Sequence, residues 1–428
     1  MQDIKILREN PELVIKDLEK RKDKDKIKIV KEIRKLDEDW RRLKYEEDGL
    51  RSKRNELSKQ VSQYKKEGKD VSKIIKEVKD IPEKIKNSEG ERKRLEDKIT
   101  EGLYLLPNIS VDSVPYGKDD SENVEIKKWG VIKKKSFELR PHQEVAENLG
   151  VADFERSAKI SGSGFYILKG DLALLNQALI RFAIEEMVKK GFTYTEVPYM
   201  MNKESYKTGV PMDDFEDVMY KIDGEDKYLI ATSEHPLLGQ FRDETFEEED
   251  LPVKLTSYSM SFRKEVGSHG IDTKGLFRTH QFNKVEMVVV SKPEDSWEIH
   301  EQLQEYAEEV VQKLKLPYRV VNICTGDLGS FAAKKYDIEV WMPRSETYRE
   351  IGSNSNFTDY QARRANIRYH KKKTNEFLNV HTLNNTVIAT SRVMVSILEN
   401  YQNEDGSVTI PEVLRPYMFN KKIIGKKK

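Results

Sequence analysis

The chain has 428 residues, of which 37% are hydrophobic and 35% charged, and its formal net charge is only +1. This length suffices for two or three domains, and such dense charge predicts a soluble protein. The one cysteine, Cys324, excludes an internal disulfide and a zinc site built from several cysteines, so we expect a reducing, cytoplasmic location. No apolar run approaches the roughly 18 residues of a transmembrane helix, and no membrane partner is expected.

The first 106 residues are predicted to form a basic helical arm. Residues 1–110 carry 31 Lys and Arg against 25 Asp and Glu, so this part of the chain holds the excess positive charge. After a short helix pair in residues 1–20, apolar side chains recur at heptad spacing on both sides of a turn at 65–70. The first stretch contains Ile33, Leu36, Trp40, Leu43, Leu50, Leu57, Val61 and Tyr64, and the second contains Val71, Ile74, Val78, Ile81, Ile85, Leu95 and Ile99. The pattern predicts an antiparallel coiled coil over about 27–102.

One polar layer interrupts this apolar seam and indicates its register. If the two helices meet at the predicted turn, Glu47 faces Ser88 and lies within one helical turn of Arg92. We therefore expect Glu47 and Arg92 to pair across the seam, because a polar pair inside a coiled coil can fix its register. The basic outer faces have two interpretations: a solvated surface, or a surface that binds a nucleic-acid backbone.

Residues 107–135 are rich in Pro, Gly, Asp and Lys, which predicts a linker before a second domain at 136–428. The elements predicted in this domain are a helix over Leu172–Lys190 ended by Gly191, strands at 193–200, 228–231, 337–341 and 380–389, and helices at 296–314 and 390–402. Strands outnumber crossover helices, and no Gly-rich phosphate loop follows a strand. The fold class is therefore α+β with an antiparallel sheet, neither Rossmann nor P-loop.

A long hairpin between Lys254 and Val290 is the most informative stretch of this domain. Its apolar face holds Val285, Met287 and Val289, and its ionic face holds Arg263, Glu265, Arg278, His280, Phe282, Lys284 and Glu286. The connection at 266–276 contains Gly267, Gly270 and Gly275, as a mobile loop would. Arginines on facing strands can hold a triphosphate from two sides, and Phe282 can stack on a base. The alternative is a solvated sheet face crossed by ordinary ion pairs.

Several motifs together resemble those of class II aminoacyl-tRNA synthetases. FRKE at 262–265 with FRTHQFNKVEM at 277–287 resembles motif 2, the segment from Thr386 to Met418 resembles motif 3, and 191–198 resembles motif 1. TSE at 232–234, HQFNKVEM at 280–287, REIGSNSNFTDYQARR at 349–364 and LNNT at 383–386 are similar to the seryl-tRNA synthetase family. The helical hairpin at the start is similar to that family's tRNA-binding arm. The resemblance therefore covers nearly the whole chain.

This resemblance implies an antiparallel class II catalytic domain preceded by a long coiled-coil arm. It implies that L-serine and MgATP give seryl-adenylate and pyrophosphate, and that serine then passes to the terminal adenosine of tRNA(Ser). It also implies a homodimer in which the arm reads the shape of a long variable arm of the tRNA, with no DNA partner. Whether tRNA(Sec) is a second acceptor is left open by the sequence.

The resemblance also assigns roles to individual residues. Arg263 and Arg392 are the expected catalytic residues, and Glu350 and Ser353 are the expected Mg²⁺ ligands. The expected ATP site comprises Arg263, Lys264, Glu265, Arg278, Thr279, His280, Gln281, Phe282, Glu350, Ile351, Gly352, Ser353 and Arg392. Within it Glu265 would orient the adenine amino group, and Phe282 and Arg392 would stack on either side of the ring. The expected serine site comprises Thr232, Ser233, Glu234, Arg263, Glu286, Asn384 and Thr386.

The chain departs from the family pattern at Asn354, where relatives often have cysteine. That thiol is not expected to do chemistry, so activity should survive. The single cysteine also argues against the methanogen type with zinc in its serine pocket. Two other functions share parts of the pattern. A carrier-protein aminoacyl ligase would lack the long arm, and a non-catalytic RNA-binding relative would be expected to have lost Arg263, Glu286 or Arg392, all of which are present.

Overall fold

The computed structural model describes residues 1–210, 217–265 and 275–425, and the chain forms two compact units, Met1–Ile109 and Ser110–Lys428. The predicted loop glycines Gly267 and Gly270 lie outside the described residues, as do the last three lysines, 426–428, for which a solvated end is expected. In the described part of the chain, no helix combines the length and the apolar character needed to cross a membrane.

The first unit consists of helices α1 (Ile4–Glu9), α2 (Pro11–Lys20), α3 (Lys24–Lys66) and α4 (Ser72–Leu105). Helix α2 begins at Pro11, whose fixed φ angle and missing N–H suit a first helical position. At the base of the arm the core contains Leu7, Val14, Leu18, Val30, Ile33, Ile99, Leu103 and Leu106, and further along it contains Leu57, Ile81 and Ile85. The predicted coiled-coil arm is confirmed.

The polar layer of the seam is built around a buried carboxylate. Arg92 Nε donates to Glu47 Oε2 at 3.1 Å, and Arg51 Nε donates to Glu47 Oε1 at 3.1 Å. Burial alone would raise the pKa of Glu47, but the hydrogen bonds from Arg51 and Arg92 outweigh it, and the pKa is lowered. The predicted pair of Glu47 and Arg92 is therefore confirmed, and Arg51 joins it.

The second unit contains helices α5 (His142–Asn148), α6 (Phe154–Ser161), α7 (Gly170–Lys189), α8 (Lys203–Gly209), α9 (Glu234–Gly239), α10 (Ser296–Lys313), α11 (Tyr360–Ala365) and α12 (Thr390–Asn400). Its strands are β1 (Val124–Trp129), β2 (Ala152–Asp153), β3 (Ile167–Leu168), β4 (Thr193–Tyr194), β5 (Met200–Met201), β6 (Tyr228–Leu229), β7 (Thr245–Glu247), β8 (Val253–Phe262), β9 (Gln281–Ser291), β10 (Tyr318–Asn322), β11 (Lys334–Met342), β12 (Thr347–Asn356), β13 (Arg368–Lys371), β14 (Glu376–Asn379), β15 (His381–Ala389), β16 (Val408–Thr409) and β17 (Ile423–Ile424). Short 3₁₀ turns lie at Asp120–Glu122, Glu248–Asp250, Pro293–Asp295 and Glu412–Met418.

An eight-stranded sheet in the order β1-β10-β11-β12-β15-β9-β8-β4 forms the centre of this unit. All of its neighbours pair antiparallel except β4 and β8. Strands β8 and β9 pair from Val253 opposite Val290 to Phe262 opposite Gln281, which confirms the predicted hairpin. The predicted apolar face of β9 lies in the main core, where Val285, Met287 and Val289 are fully buried against α7 and α10 residues.

The predicted linker at 107–135 differs in part from the structure. Its residues Val124–Trp129 form β1, which pairs with β10 at the edge of the sheet. Val124 and Ile126 stay 46% and 49% exposed there, so this strand lacks the alternation of buried apolar positions by which a strand is found in a sequence.

Candidate active site

Two adjoining pockets open on the face of the sheet that carries the ionic side of the hairpin. The first lies between the β8–β9 hairpin, β12 and the start of α12. It is lined by Arg263, Glu265, Phe277, Arg278, Thr279, Phe282, Lys284, Glu350, Ile351, Gly352, Ser353, Thr386, Ala389, Ser391 and Arg392. Most of the residues predicted to bind ATP are therefore brought together here.

Each of the two predicted catalytic arginines in this pocket lies over an aromatic ring. The Arg263 guanidinium carbon is 5.2 Å from the centroid of Phe282, and Arg263 Nε donates to the carbonyl of Ala231 at 3.3 Å. The Arg392 guanidinium carbon is 5.3 Å from the centroid of Phe277. Arg392 was expected opposite Phe282, and Phe277 was not predicted as a site residue at all. The ring of Phe277 also has Arg349 at 4.6 Å, so two cations hold it.

Glu265 leaves β8 in a left-handed backbone conformation with φ of 49°. A non-glycine residue seldom adopts this conformation, which costs on the order of 1 kcal/mol and is found more often at functional sites. Its carboxylate Oε2 lies 3.7 Å from Arg278 Nε, on the returning limb of the hairpin. The two limbs of the hairpin thus bring an acid and an arginine into the same pocket.

Three residues predicted to bind ATP do not line the pocket. His280 stacks on Phe165 with centroids 5.4 Å apart, and its Nδ1 is 2.8 Å from the hydroxyl of Tyr220. Lys264 is held by its backbone N–H, which donates to the carbonyl of Val218 at 2.8 Å. Gln281 begins β9 opposite Phe262. In the structure, the side chain of His280 packs beside the hairpin, and the backbones of Lys264 and Gln281 form hydrogen bonds or strand pairs around it.

An unpredicted acid, Asp337, faces the expected magnesium ligands. It lies opposite Ser353 on the neighbouring strand, and Ser353 Oγ donates to Asp337 Oδ1 at 2.6 Å. Burial, with Glu350 nearby, raises the pKa of Asp337 to about 7. Burial opposes ionisation of Glu350 as well, but Arg392 and Lys335 outweigh it and lower the pKa of Glu350. Arg392 Nη1 is 3.1 Å from Glu350 Oε2.

These oxygens fit a magnesium ion. Within the described ranges, no group of three or more His, Cys, Asp or Glu side chains is arranged to hold a metal. Magnesium, however, commonly takes only one or two carboxylates from a protein and fills its octahedron with phosphate oxygens and water. Glu350 and Ser353, with Asp337 behind Ser353, offer such a partial set of hard oxygen donors.

The second pocket shares Arg263 and Lys284 with the first and is lined by one acid, Glu234, while a second acid, Glu286, pairs with Lys284. Glu286 is fully buried, and its Oε2 lies 2.6 Å from Lys284 Nζ. Asn384 Nδ2 bridges the acids, donating to Glu234 Oε2 at 2.6 Å and to Glu286 Oε1 at 3.0 Å. Thr386 Oγ1 adds a bond of 3.4 Å to Glu286 Oε2. These four residues, all predicted to bind the substrate serine, therefore form one hydrogen-bonded cluster.

Two other residues predicted to bind the substrate serine, Thr232 and Ser233, lie beside this cluster. Thr232 Oγ1 accepts from Lys284 Nζ at 3.3 Å and from the backbone N–H of Glu234 at 3.3 Å. Ser233 is buried and turns away, its Oγ 3.5 Å from the carbonyl of Ser257. Burial and the charge of Glu286 raise the pKa of Glu234 to about 7, and burial raises the pKa of Glu286.

Two residues that contact these acids were not among the predicted site residues. Lys284 shares a strand face with Glu286 two residues on, a signal that the alternation of β9 already contained. Gln361 lies on α11, and its Nε2 donates to Glu234 Oε1 at 3.1 Å. Gln361 lies within the motif at 349–364, but neither that motif nor any pattern in the sequence indicates that it meets Glu234. Asn354, the departure from the family pattern, is buried behind the sheet, where its Nδ2 donates to the carbonyl of His300 at 2.9 Å.

Comparison with known proteins places this site in a class and then in a family. Residues 217–401 match the tRNA synthetase class II core domain (G, H, P, S and T). An antiparallel sheet that carries an arginine-lined pocket of this kind defines a class II aminoacyl-tRNA synthetase. Residues 1–110 match the seryl-tRNA synthetase N-terminal domain.

Full-length relatives agree with both matches. The serine–tRNA ligase of Methanocella arvoryzae is 54% identical over 419 residues, which cover 98% of this chain and 99% of that one. The seryl-tRNA synthetase of Pyrococcus horikoshii, solved with ATP, superposes with a TM-score of 0.96 at 46% identity, and each chain is covered completely. The cytoplasmic serine–tRNA ligase of Naegleria fowleri, solved with AMP, gives 0.91 at 34% identity, covering 100% of this chain and 99% of the other. The chain belongs to the seryl-tRNA synthetase family, whose members are ligases.

Proposed function

We propose that this chain activates L-serine with ATP and transfers the seryl group to tRNA(Ser). The observation that carries the proposal is the position of Arg263, which lines both pockets. Adenylation joins the serine carboxylate to the α-phosphorus, so the reacting atoms must meet where the two substrate pockets adjoin. A guanidinium at that junction stabilises the negative charge that develops as the carboxylate oxygen attacks and pyrophosphate leaves.

The other side chains orient the two substrates. Phe282 offers its ring to the base, Glu265 accepts from a base amino group, and Arg278 and Arg392 bind the phosphate chain. Glu234 lines the second pocket and Thr386 the first, and Asn384 and Glu286 join them through hydrogen bonds, a polar set suited to a hydroxyl and an ammonium. Alanine would leave those buried partners unpaired, so the site would reject it.

Glu350 and Ser353 would hold Mg²⁺, which supplies charge neutralisation at the phosphates when bound. Arg392 keeps the Glu350 carboxylate ionised and oriented through contacts at 3.1 Å to its side chain and 3.0 Å to its carbonyl. Asp337 fixes the Ser353 hydroxyl. The strand β12 thus presents its donors in one arrangement before substrate arrives.

We further propose a cytoplasmic homodimer that binds tRNA(Ser) through the arm, with tRNA(Sec) as an acceptor to be tested beside it. Support for a dimer comes from apolar side chains left exposed on α7 and directly after residues 191–198, which resemble motif 1. Leu174, Val188, Tyr199 and Met200 are between 38% and 49% exposed there. Analytical ultracentrifugation should give about twice the 50.0 kDa of one chain, and a monomer at micromolar concentration would contradict this part.

Pyrophosphate exchange tests the chemistry. The chain should exchange labelled pyrophosphate into ATP with serine, and far more weakly with threonine, alanine or glycine. Glu286→Ala should abolish the exchange, whereas Glu249→Ala should leave it unchanged because Glu249 is exposed and pairs only with Lys372 in the described structure. Exchange with none of the four amino acids would refute the proposal.

A second experiment separates the two units. Deleting residues 30–98 should preserve serine-dependent exchange and abolish the charging of tRNA(Ser), because activation uses only residues of the second unit. Loss of exchange in a deletion variant that retains the circular dichroism of the catalytic unit would contradict this division of labour.

A further inference from the structure

Glu234 and Glu286 differ in the charge that surrounds them, although Asn384 joins them. Glu286 has Lys284 at 2.6 Å. Glu234 has no ion pair among the described residues, and its carboxylate accepts hydrogen bonds from the neutral amides of Gln361 and Asn384. If Arg263 binds the substrate carboxylate where the two pockets meet, Glu234 is the acid that lines the same pocket and is not paired with a cation. An α-ammonium group entering this pocket is therefore attracted to Glu234 more strongly than to Glu286.

Gln361 controls how Glu234 is presented. It is 1% exposed, and its amide makes two bonds of opposite polarity. Nε2 donates to Glu234 Oε1 at 3.1 Å, while Oε1 accepts from Thr382 Oγ1 at 2.7 Å. The hydroxyl of Thr382 satisfies the oxygen end of the amide, so the N–H end is left to face Glu234. A donor fixed in this way favours the ionised form of the carboxylate.

Other charges act on Glu234 from every neighbouring element. Glu286 on β9 opposes its ionisation, whereas Lys284 on β9 and Arg263 after β8 favour it. His235, the next residue on α9, is held neutral because burial lowers its pKa to about 3. Lys335 on β11 lines the same pocket. Gln361 and Asn384 are thus the two neutral groups that oppose burial and Glu286 by direct hydrogen bonds, and of the two only Gln361 bonds Glu234 without also bonding Glu286.

We propose that Gln361 is a positioning residue for serine activation: its amide, fixed by Thr382, holds the Glu234 carboxylate in place and directs it at the substrate's α-ammonium. Thr382 acts one step further back by fixing the orientation of the Gln361 amide. This inference rests on the proposed function, since it assigns a role within serine binding.

The test is Gln361→Met, which keeps the length of the side chain and removes both hydrogen bonds. In pyrophosphate exchange, the KM for serine should rise about tenfold or more, the amount expected for a lost hydrogen bond to a charged group, while the KM for ATP stays within twofold. The KM for serine should also fall with rising pH as Glu234 ionises. Removing a bond that favours the ionised form moves that midpoint to higher pH in the variant. A merely structural role for Gln361 would leave the midpoint where it is.

Two further variants complete the test. Gln312→Met removes a glutamine whose Nε2 donates to Tyr318 outside both pockets, and it should match the wild type. Thr382→Val should raise the KM for serine in the same direction by a smaller factor, and it serves if Gln361→Met does not fold. Absence of serine-dependent exchange in the wild type would refute the proposed function itself. Normal wild-type exchange, with either folded variant unchanged or raising both KM values equally at an unmoved midpoint, would overturn this inference alone.

Discussion

The ion pair between Lys284 and Glu286 allows a quantitative prediction. The Glu286 side chain is fully buried, that of Lys284 is 10% exposed, and their charged atoms are 2.6 Å apart. Lys284→Met retains most of the apolar stem and removes the charge, which leaves an uncompensated carboxylate inside the fold. Breaking a buried pair from one side typically costs about 3–5 kcal/mol. We expect a loss of that order in the free energy of unfolding at pH 8.5.

The loss in the free energy of unfolding caused by Lys284→Met should increase with pH. Burial already raises the pKa of Glu286 in the folded chain above its unfolded value of about 4.3, and loss of the ammonium raises it further. A carboxyl group whose pKa is raised by folding makes its full contribution to the free energy of unfolding below its unfolded pKa. That contribution is lost as the pH rises through the folded pKa. The free energy of unfolding of Lys284→Met should therefore be close to that of the wild type near pH 4.5 and decrease relative to it as the pH increases.

Urea unfolding followed by tryptophan fluorescence at pH 4.5, 7 and 8.5 measures this difference. Lys254→Met is the matched control, since Lys254 lies on the facing strand, and its Nζ bonds the neutral Gln302 at 3.4 Å. It should cost less than about 1 kcal/mol at every pH. Combining Lys284→Met with Glu286→Gln removes both charges and should recover most of the loss, while serine-dependent exchange stays absent. A single variant that loses the same free energy at pH 4.5 and 8.5 would refute this reasoning.

Three further predictions concern other parts of the chain. Replacing Glu47 and Arg92 together by leucine should leave a folded arm with a less unique register, detected as additional cysteine cross-links between α3 and α4; an unchanged cross-linking pattern would count against the register role. Gly352→Ala would place a Cβ 3.2 Å from the Cβ and carbonyl oxygen of Thr386, so we expect about 1–3 kcal/mol of destabilisation and weaker exchange, and a variant with wild-type stability and exchange would argue against this tight contact. Asp337→Asn should raise the magnesium concentration needed for half-maximal exchange several-fold, because the Ser353 hydroxyl loses the carboxylate oxygen that orients it; an unchanged requirement would remove Asp337 from the site.

The parts of the fold that were predictable from sequence are those set by local periodicity. Alternation along β9 assigned the core face and the ionic face of the hairpin, and heptad counting placed Glu47 beside Arg92 across 45 positions. Both inferences use spacing within one or two neighbouring elements. Site residues to which the family resemblance assigns a role were predictable as well, whereas Phe277, Lys284 and Gln361 lie within the same motifs without an assigned role.

The residues that were missed depend on distances between elements that are remote in sequence. Asp337 meets Ser353 through the register of β11 on β12, which shifts by an irregularity between Ile338 and Glu339 that no pattern announces. Gln361 meets Glu234 because α11 packs beside the start of α9. Phe277 lies just before β9, where strand alternation no longer assigns a face. Its contacts with Arg349 and Arg392 could therefore not be predicted from the sequence.

One strand combines the stability of the unit with the chemistry of the site, and this explains why buried charge is tolerated there. On β9, Lys284 and Glu286 alternate with Val285 and Met287, which are fully buried in the main core. Fully burying an aliphatic side chain contributes about 1.5–3 kcal/mol, comparable to the cost of desolvating one ion of a pair after relaxation. The apolar face therefore holds the strand rigidly in register while the opposite face carries charges that would destabilise an unsupported strand. A substitution on the core face, such as Met287→Ala, should for this reason weaken serine binding as well as stability, although the side chain never reaches the pocket.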